Sequence, residues 1–244
     1  MAEEYSYMDI TRFTANPDGF YATNSPFQKA GPKGFVEVKI LEDDKLYIRV
    51  DLPGVPDDAV RHRVDSVRQK VIFFSGETLD DGNNKDGVRE YSGSTGLSCD
   101  CCEITGVEAK MKDGVLRMFA SRVKVKNHDK KCTLTFPPFT GKSGRRQEDH
   151  PFLVKGPKGA MFVGATRDGG SYMAIDMPGA ITDDVQWVTI RNGLRFIAQT
   201  KKACEHDESA RLYLGSFGTM DSSTAPSVNS ITATVKFGVL KVFT

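Results

Sequence analysis

Apolar and polar residues alternate with a period of two along much of this chain. Val36, Val38 and Ile40 alternate with Glu37 and Lys39, and Leu46, Ile48, Val50 and Leu52 alternate with Tyr47, Arg49 and Asp51. That spacing sends one set of side chains to a buried face and the other to a wet face, which predicts half-buried β-strands. Pro53-Gly54 ends the second strand, because proline cannot donate to a ladder and glycine admits turn dihedrals. Val60, His62 and Val64 then alternate with Arg61, Arg63 and Asp65, and the run Val71-Ile72-Phe73-Phe74 stops at Ser75-Gly76. The polar, glycine-rich stretch from Asp80 to Gly87 reads as a long loop. No stretch predicts a helix longer than a turn or two.

The same landmarks return later in the same order. Gly31-Pro32-Lys33-Gly34 recurs as Gly156-Pro157-Lys158-Gly159, and Asp51-Leu52-Pro53-Gly54 recurs at the same offset as Asp176-Met177-Pro178-Gly179. Val185, Trp187 and Thr189 answer Val60, His62 and Val64. The run Leu194-Arg195-Phe196-Ile197 follows at a slightly shorter offset, which puts a small indel in the preceding turn. Gly114-Val115-Leu116 and Gly238-Val239-Leu240 close the two copies. The period is far longer than the roughly 20–50 residues of a solenoid, so each copy is expected to be a whole domain with its own core. The expected division is an aromatic N-terminal arm over residues 1–29, a first domain over 30–126, a basic linker containing proline and glycine over 127–151, and a second domain over 152–244. Each domain is then about the size of a small all-β sandwich of roughly 100 residues.

Charge narrows the function classes. Lys plus Arg is 33 and Asp plus Glu is 32, so a formal charge of +1 supplies no global field for nucleic acid or an anionic membrane. No apolar run approaches the roughly 20 residues of a membrane helix. The acidic start, Met1-Ala2-Glu3-Glu4-Tyr5, is not a secretory leader. A soluble protein of the cytoplasm and/or nucleus is expected, with its five cysteines reduced. Lys130, Lys131, Lys142, Arg145 and Arg146 make the linker locally basic, either as solvated charge or as a nuclear-import signal.

Candidate chemistry is sparse. Cys99-Asp100-Cys101-Cys102, with His128 and Cys132 further on, invites a zinc reading. Structural zinc spaces its ligands Cys-x(2 to 4)-Cys and His-x(3 to 5)-His, and adjacent thiols on an extended strand point to opposite sides, so no metal and no cofactor are assigned. His62, His128, His150 and His206 are scattered, and no nucleophile elbow, His-Glu-x-x-His or Walker loop occurs. Asp57-Asp58 and Asp183-Asp184 each follow a Pro-Gly turn and read as turn and cap residues. An enzyme is not expected, and no nucleotide-binding loop is present through which ATP would act.

Val50-Asp51-Leu52-Pro53-Gly54, a strand closing on Phe74-Ser75-Gly76-Glu77, and the late Ala109-Lys110-Met111-Lys112-Asp113-Gly114-Val115-Leu116 together resemble the α-crystallin domain of plant small heat shock proteins. Asp176-Met177-Pro178-Gly179 and Ala233-Thr234-Val235-Lys236-Phe237-Gly238-Val239-Leu240 repeat the scheme. The resemblance implies an all-β chain of two tandem immunoglobulin-like β-sandwiches. Their edge strands, and a groove between the fourth and eighth strands, would hold extended apolar segments of other chains. Carried over by position, the groove liners are Val64, Ala109, Met111, Trp187, Ala233 and Val235; each could equally fill its sandwich core. The strand that pairs subunits falls around Val88 and Tyr91, with Leu212 and Tyr213 in the second copy. The sequence stops at Phe243-Thr244 without the Ile/Val-x-Ile/Val plug of oligomeric members, so pairing of the two domains with each other, or a small homo-oligomer, is expected over large assemblies. The implied function is to hold unfolding clients. The alternative is an adaptor for defined partners in a nuclear complex, as in tandem relatives that promote active DNA demethylation.

Overall fold

The computed structural model describes residues 7–9, 25, 27–31, 35–43, 45–79, 88–97, 99–127, 134–135, 150, 152–157, 159–166, 170–190, 193–218 and 231–243. The first eleven strands are β1 (Tyr7–Asp9), β2 (Gln28–Ala30), β3 (Val36–Ile40), β4 (Leu46–Asp51), β5 (Val60–Val64), β6 (Val71–Glu77), β7 (Glu90–Leu97), β8 (Cys102–Lys112), β9 (Val115–Lys124), β10 (Leu134–Thr135) and β11 (Leu153–Lys155). Then come β12 (Met161–Ala165), β13 (Ser171–Asp176), β14 (Val185–Ile190), β15 (Gly193–Gln199), β16 (Leu212–Gly218), β17 (Thr232–Lys236) and β18 (Val239–Phe243). Among the described residues there is no α-helix, only a 3-10 turn at Thr182–Asp184. Most of the 80–87 loop, the 127–151 linker and the N-terminal arm lie outside the described residues, and with them the basic cluster, His128 and Cys132.

The strands form two tandem β-sandwiches. In the first repeat, a sheet ordered β3-β4-β9-β8 faces one ordered β10-β7-β6-β5; in the second, β12-β13-β18-β17 faces β1-β16-β15-β14. Leu46, Ile48, Ile72, Phe74, Leu116 and Met118 fill the first core, and Ile175, Leu194, Phe196, Leu240 and Val242 the second. The stretches matched to the family's fourth and eighth strands are β5 and β8, and β14 and β17. β8–β9 and β17–β18 are hairpins whose two-residue turns, Asp113-Gly114 and Phe237-Gly238, have positive φ at both positions. That backbone matches strand twist and selects glycine at the second position.

Three short strands cross between the repeats: β1 pairs in parallel with β16 of the second repeat, and two others exchange reciprocally. β11, which precedes the second repeat in sequence, pairs with β7 of the first; β2, which precedes the first, pairs with β16 of the second. Phe152 enters the first core and Phe27 the second. Each crossing Phe lies over a glycine: a Cβ on Gly93 would meet the Phe152 ring at 2.1 Å, and one on Gly215 the Phe27 ring at 2.1 Å.

The alternation expected in β4 is not observed as a wet face. Every residue of β4 is buried, as are all but the first of β13. The sheet faces that alternation leaves polar are covered by the partner repeat, so Tyr47, Arg49, Asp51 and Asp176 sit inside the molecule.

Candidate partner edges and the seam between the repeats

The seam is built from the Asp-x-Pro-Gly turn that each repeat carries at the end of its second strand. Strand pairing fixes Asp176 at the end of β13, and its carboxylate receives the Arg89 guanidinium, Nη1 lying 2.8 Å from each oxygen. Arg89 Nε and Nη2 donate to the carbonyls of Pro157 and Gly159 at 2.9 and 2.6 Å. The mirror arrangement joins Arg211 to Asp51, with Nη2 at 2.9 and 3.1 Å from the two oxygens. Tyr91 donates to the Pro53 carbonyl at 3.1 Å and Tyr213 to the Pro178 carbonyl at 3.0 Å. Gly54 N–H donates to the Phe237 carbonyl and Gly179 N–H to the Asp113 carbonyl, at 2.9 and 2.7 Å, so each Pro-Gly turn caps the other repeat's hairpin.

The arginines are only 3% and 5% exposed, and a buried charge is tolerated only when paired and hydrogen-bonded. Burial works against the Arg89 charge, but Asp176 outweighs it and raises the arginine pKa; Asp51 does the same for Arg211. Burial pushes the Asp176 carboxyl up to about 6 against the opposing pull of Arg89. Burial also pushes the Tyr213 phenol up to about 12.

Two further contacts are not mirrored. His150, buried between Phe35 and Tyr91, has Nε2 2.6 Å from the Asp51 carbonyl, while Nδ1 accepts from Phe152 N–H at 3.2 Å. One donating and one accepting nitrogen define a neutral imidazole, and burial lowers its pKa to about 4. Ser25 holds the matching position ahead of Phe27, and its buried hydroxyl has no hydrogen-bond partner among the described residues. In the second contact, the 200–211 loop lies on the outer face of β4 and β9. Arg117 donates to both Asp207 oxygens at 3.0 Å, Tyr47 donates to the same carboxylate, and Lys39 Nζ reaches the His206 carbonyl at 2.8 Å. Burial alone would raise Asp207, but these bonds hold it down at about 2.

The pairing candidates all lie on this seam, with their partners in the same chain. Tyr91 pairs with Leu153, Leu212 with Ala30 and Tyr213 with Gln28. The Val88 carbonyl abuts Gly156, where a Cβ would sit at 2.1 Å. Sequence reasoning assigned no seam role to Arg89, Arg211, Phe152 or His150, and named Phe27 only among the arm aromatics that could dock on a domain or partner. The signal was present for four of them, since Arg-x-Tyr occurs in both copies and each Gly-Pro-Lys-Gly is preceded at the same distance by a Phe.

The groove candidates lie on strands that end their sheets: β5 and β8 in the first repeat, β14 and β17 in the second. All six face inward. Val64 stands opposite Ile72, Ala109 opposite Met118 and Met111 opposite Leu116; Trp187 stands opposite Phe196, Ala233 opposite Val242 and Val235 opposite Leu240. Met111 and Val235 are buried core residues, while Val64, Ala109 and Ala233 are half-buried at the core margin. Trp187 is 40% exposed, so although its register opposite Phe196 puts it on the core side of β14, its indole is not enclosed by the core. Its counterpart in the first repeat is His62, between Arg61 and Arg63.

A family model described as predicted plant small heat shock protein matches residues 7–244. The chain belongs to this family. Among curated relatives, a putative 57 kDa heat shock protein of Arabidopsis thaliana is 40% identical over 109 residues, 44% of this chain and 20% of that protein. A mitochondrial heat shock 22 kDa protein of Glycine max is 30% identical over 82 residues, 34% of this chain and 37% of its own length. A mitochondrial 23.6 kDa heat shock protein of Arabidopsis thaliana is 31% identical over 85 residues, 34% and 40% of the two chains. The matches therefore span less than half of each relative. Among the described residues, no helix is long and apolar enough to cross a membrane.

The Cys99–Cys102 segment departs from expectation. The chain bends at Asp100 and Cys101 instead of running extended, and the Cys101 and Cys102 sulfurs lie 3.6 Å apart on one side.

Proposed function

We propose that this chain is an ATP-independent, chaperone-like binding protein that takes extended apolar segments of unfolding proteins at the edges of its sandwiches, chiefly between β14 and β17. The observation that carries this reading is Trp187. It projects from the core side of an end strand, 40% exposed, with Val188 and Ile197 exposed on the other face of the same sheet. An aromatic ring at a groove mouth supplies a large anchoring area for an apolar side chain of a client. The proposed action is binding, not catalysis, in the cytoplasm and/or nucleus.

Trp187 is the single tryptophan of the chain and reports directly on the groove. Heating citrate synthase with the protein is expected to give reduced light scattering together with a blue-shifted tryptophan emission. Trp187→His is expected to restore scattering. Suppression that is unchanged in this variant would remove the groove from the mechanism.

A second reading, an adaptor that holds a defined partner within a nuclear complex, is favoured by the seam. The strands expected to pair subunits are occupied within one chain by β2 and β11, which favours discrete complexes over large storage assemblies. Crosslinked purification from native cells separates the two readings. Many proteins captured only after heating support the chaperone, and a few at fixed ratios without stress support the adaptor.

A further inference from the structure

The first repeat contains a cluster of sulfur that client binding does not use. The Sγ atoms of Cys99, Cys101 and Cys102 all lie within 4.8 Å of one another, at 9%, 0% and 3% residue exposure. The segment that carries them is tied down on both sides. Leu97 N–H donates to the Lys70 carbonyl at 2.8 Å, Ile104 N–H to the Gln69 carbonyl at 2.6 Å, and Val125 N–H to the Cys101 carbonyl at 2.8 Å. Lys70 Nζ donates to the Cys99 carbonyl at 2.6 Å. The bend at Asp100 and Cys101, held by these bonds, turns two sequence-adjacent thiols to the same side.

We propose that these three cysteines form a binding site for a thiophilic d10 metal ion of the zinc class. Zinc–sulfur bonds of about 2.3 Å in a tetrahedron place sulfurs ~3.8 Å apart. The Cys101–Cys102 separation of 3.6 Å already has that value, and the remaining separations, at most 4.8 Å, require contraction of no more than about 1 Å. Three sulfurs without a described carboxylate or imidazole select a soft ion over magnesium or calcium. Binding deprotonates the thiols, so three protons leave as three metal–sulfur bonds form, and a zinc ion with three thiolates carries a net negative charge. Lys70, seated on the Cys99 carbonyl, supplies a compensating positive charge. Cys99, the least covered of the three, gives the ion its way in. The fourth tetrahedral position is open to water or a further donor.

The site would cross-link the β7–β8 connection to the start of β8, next to the Leu97 and Ile104 side chains of the core. The second repeat has only Cys204, in a different loop, so this cross-link belongs to one repeat.

The test uses the untagged full chain, reduced, stripped with a chelator and titrated anaerobically with Co(II) as a reporter for Zn(II). One equivalent of Co(II) with sulfur-to-cobalt charge-transfer absorption, displaced by equimolar Zn(II), is expected. Cys99→Ser, at the rim of the core, is expected to weaken zinc binding at least tenfold, and Cys204→Ser to leave it unchanged. Because Cys101→Ser could unfold the core, a variant-free measurement accompanies it: Zn(II) should slow alkylation of Cys99, Cys101 and Cys102 at least tenfold and leave Cys204 unaffected. Absence of the charge-transfer band, a Cys99→Ser variant with wild-type affinity, or zinc that protects none of the three thiols would overturn the proposal.

Discussion

The two repeats are alike where they face each other and unlike where they face outward. Across the seam most residues correspond, Asp51 with Asp176, Arg89 with Arg211, Tyr91 with Tyr213, Phe27 with Phe152, and Gly93 with Gly215, the exceptions being His150 against Ser25 and the Asp207 contact with Arg117 and Tyr47. On the groove strands they diverge, with Arg61-His62-Arg63 in one and Gln186-Trp187-Val188 in the other. A buried reciprocal interface constrains both copies at once, because each arginine needs its carboxylate and each crossing Phe needs its glycine. An exposed edge carries no such constraint, so the two copies can present different surfaces to partners.

The largest effect is expected from breaking the seam's ion pairs. Arg89→Ala leaves Asp176 buried without its cation and should destabilise the chain by about 3–5 kcal/mol, and Arg211→Ala tests the same for Asp51, which keeps only Arg49 Nε, at 3.7 Å. Equal costs, measured by chemical denaturation, would sustain the symmetry, and a clearly smaller cost for one would break it. Replacing both partners, Arg89→Met with Asp176→Leu, should recover most of the loss, since the cost lies in the orphaned charge and not in the absent attraction.

Next are the crossing aromatics. Phe27→Ala and Phe152→Ala each empty a core position and are expected to cost about 3–5 kcal/mol. The variants should also expose the seam to protease, because each Phe anchors the strand that bridges the repeats.

His150 and Ser25 sharpen the contrast through pH. The folded state holds the imidazole neutral down to about pH 4, while the ordinary value is 6.5, so the unfolded chain takes up the proton first as pH falls. Stability from His150 is therefore complete above pH 6.5 and lost as pH falls to 4, amounting to about 3 kcal/mol at ~1.4 kcal/mol per pH unit. Asp176, whose raised value acts in the opposite sense, is common to wild type and His150→Gln, so the difference between their stability–pH curves isolates the histidine. That difference should shrink as pH falls below 6.5. Ser25→Ala should show no such pH dependence and should change stability by less than about 1 kcal/mol.

The smallest effect on stability belongs to the groove. Trp187→His should shift stability by about 0.5 kcal/mol or less, yet abolish most suppression of client aggregation. The reverse exchange, His62→Trp, should add suppression to the first repeat. Failure of both exchanges would show that the divergence of the edges is unrelated to binding.

Local pattern made the strands legible. Alternation over residues 36–40 and 46–52 marks strands whatever covers them, and Pro-Gly or positive-φ turns mark where they stop, because both signals act over a few residues. The doubled landmarks revealed two copies of one sandwich, and the stretches around residues 60–64, 107–111, 185–189 and 232–235 are strands that end their sheets. Alternation also named Tyr47, Arg49 and Asp51 as a wet face, and there it failed. Polarity in a strand says that a side chain needs polar company, not whether water or another repeat supplies it.

The sequence by itself thus determined an all-β chain, its tandem organisation, its turns and its family. Only the tertiary structure decided that Phe27 and Phe152 belong to the opposite cores, that Arg89 meets Asp176 and Arg211 meets Asp51, that Trp187 is not enclosed by the core, and that three thiols share one side of a bend. The physical reason is range. Strand period and turn dihedrals are properties of neighbouring residues, whereas ion-pair partners, burial of a polar face and convergence of sulfurs depend on which segments, distant along the chain, pack together.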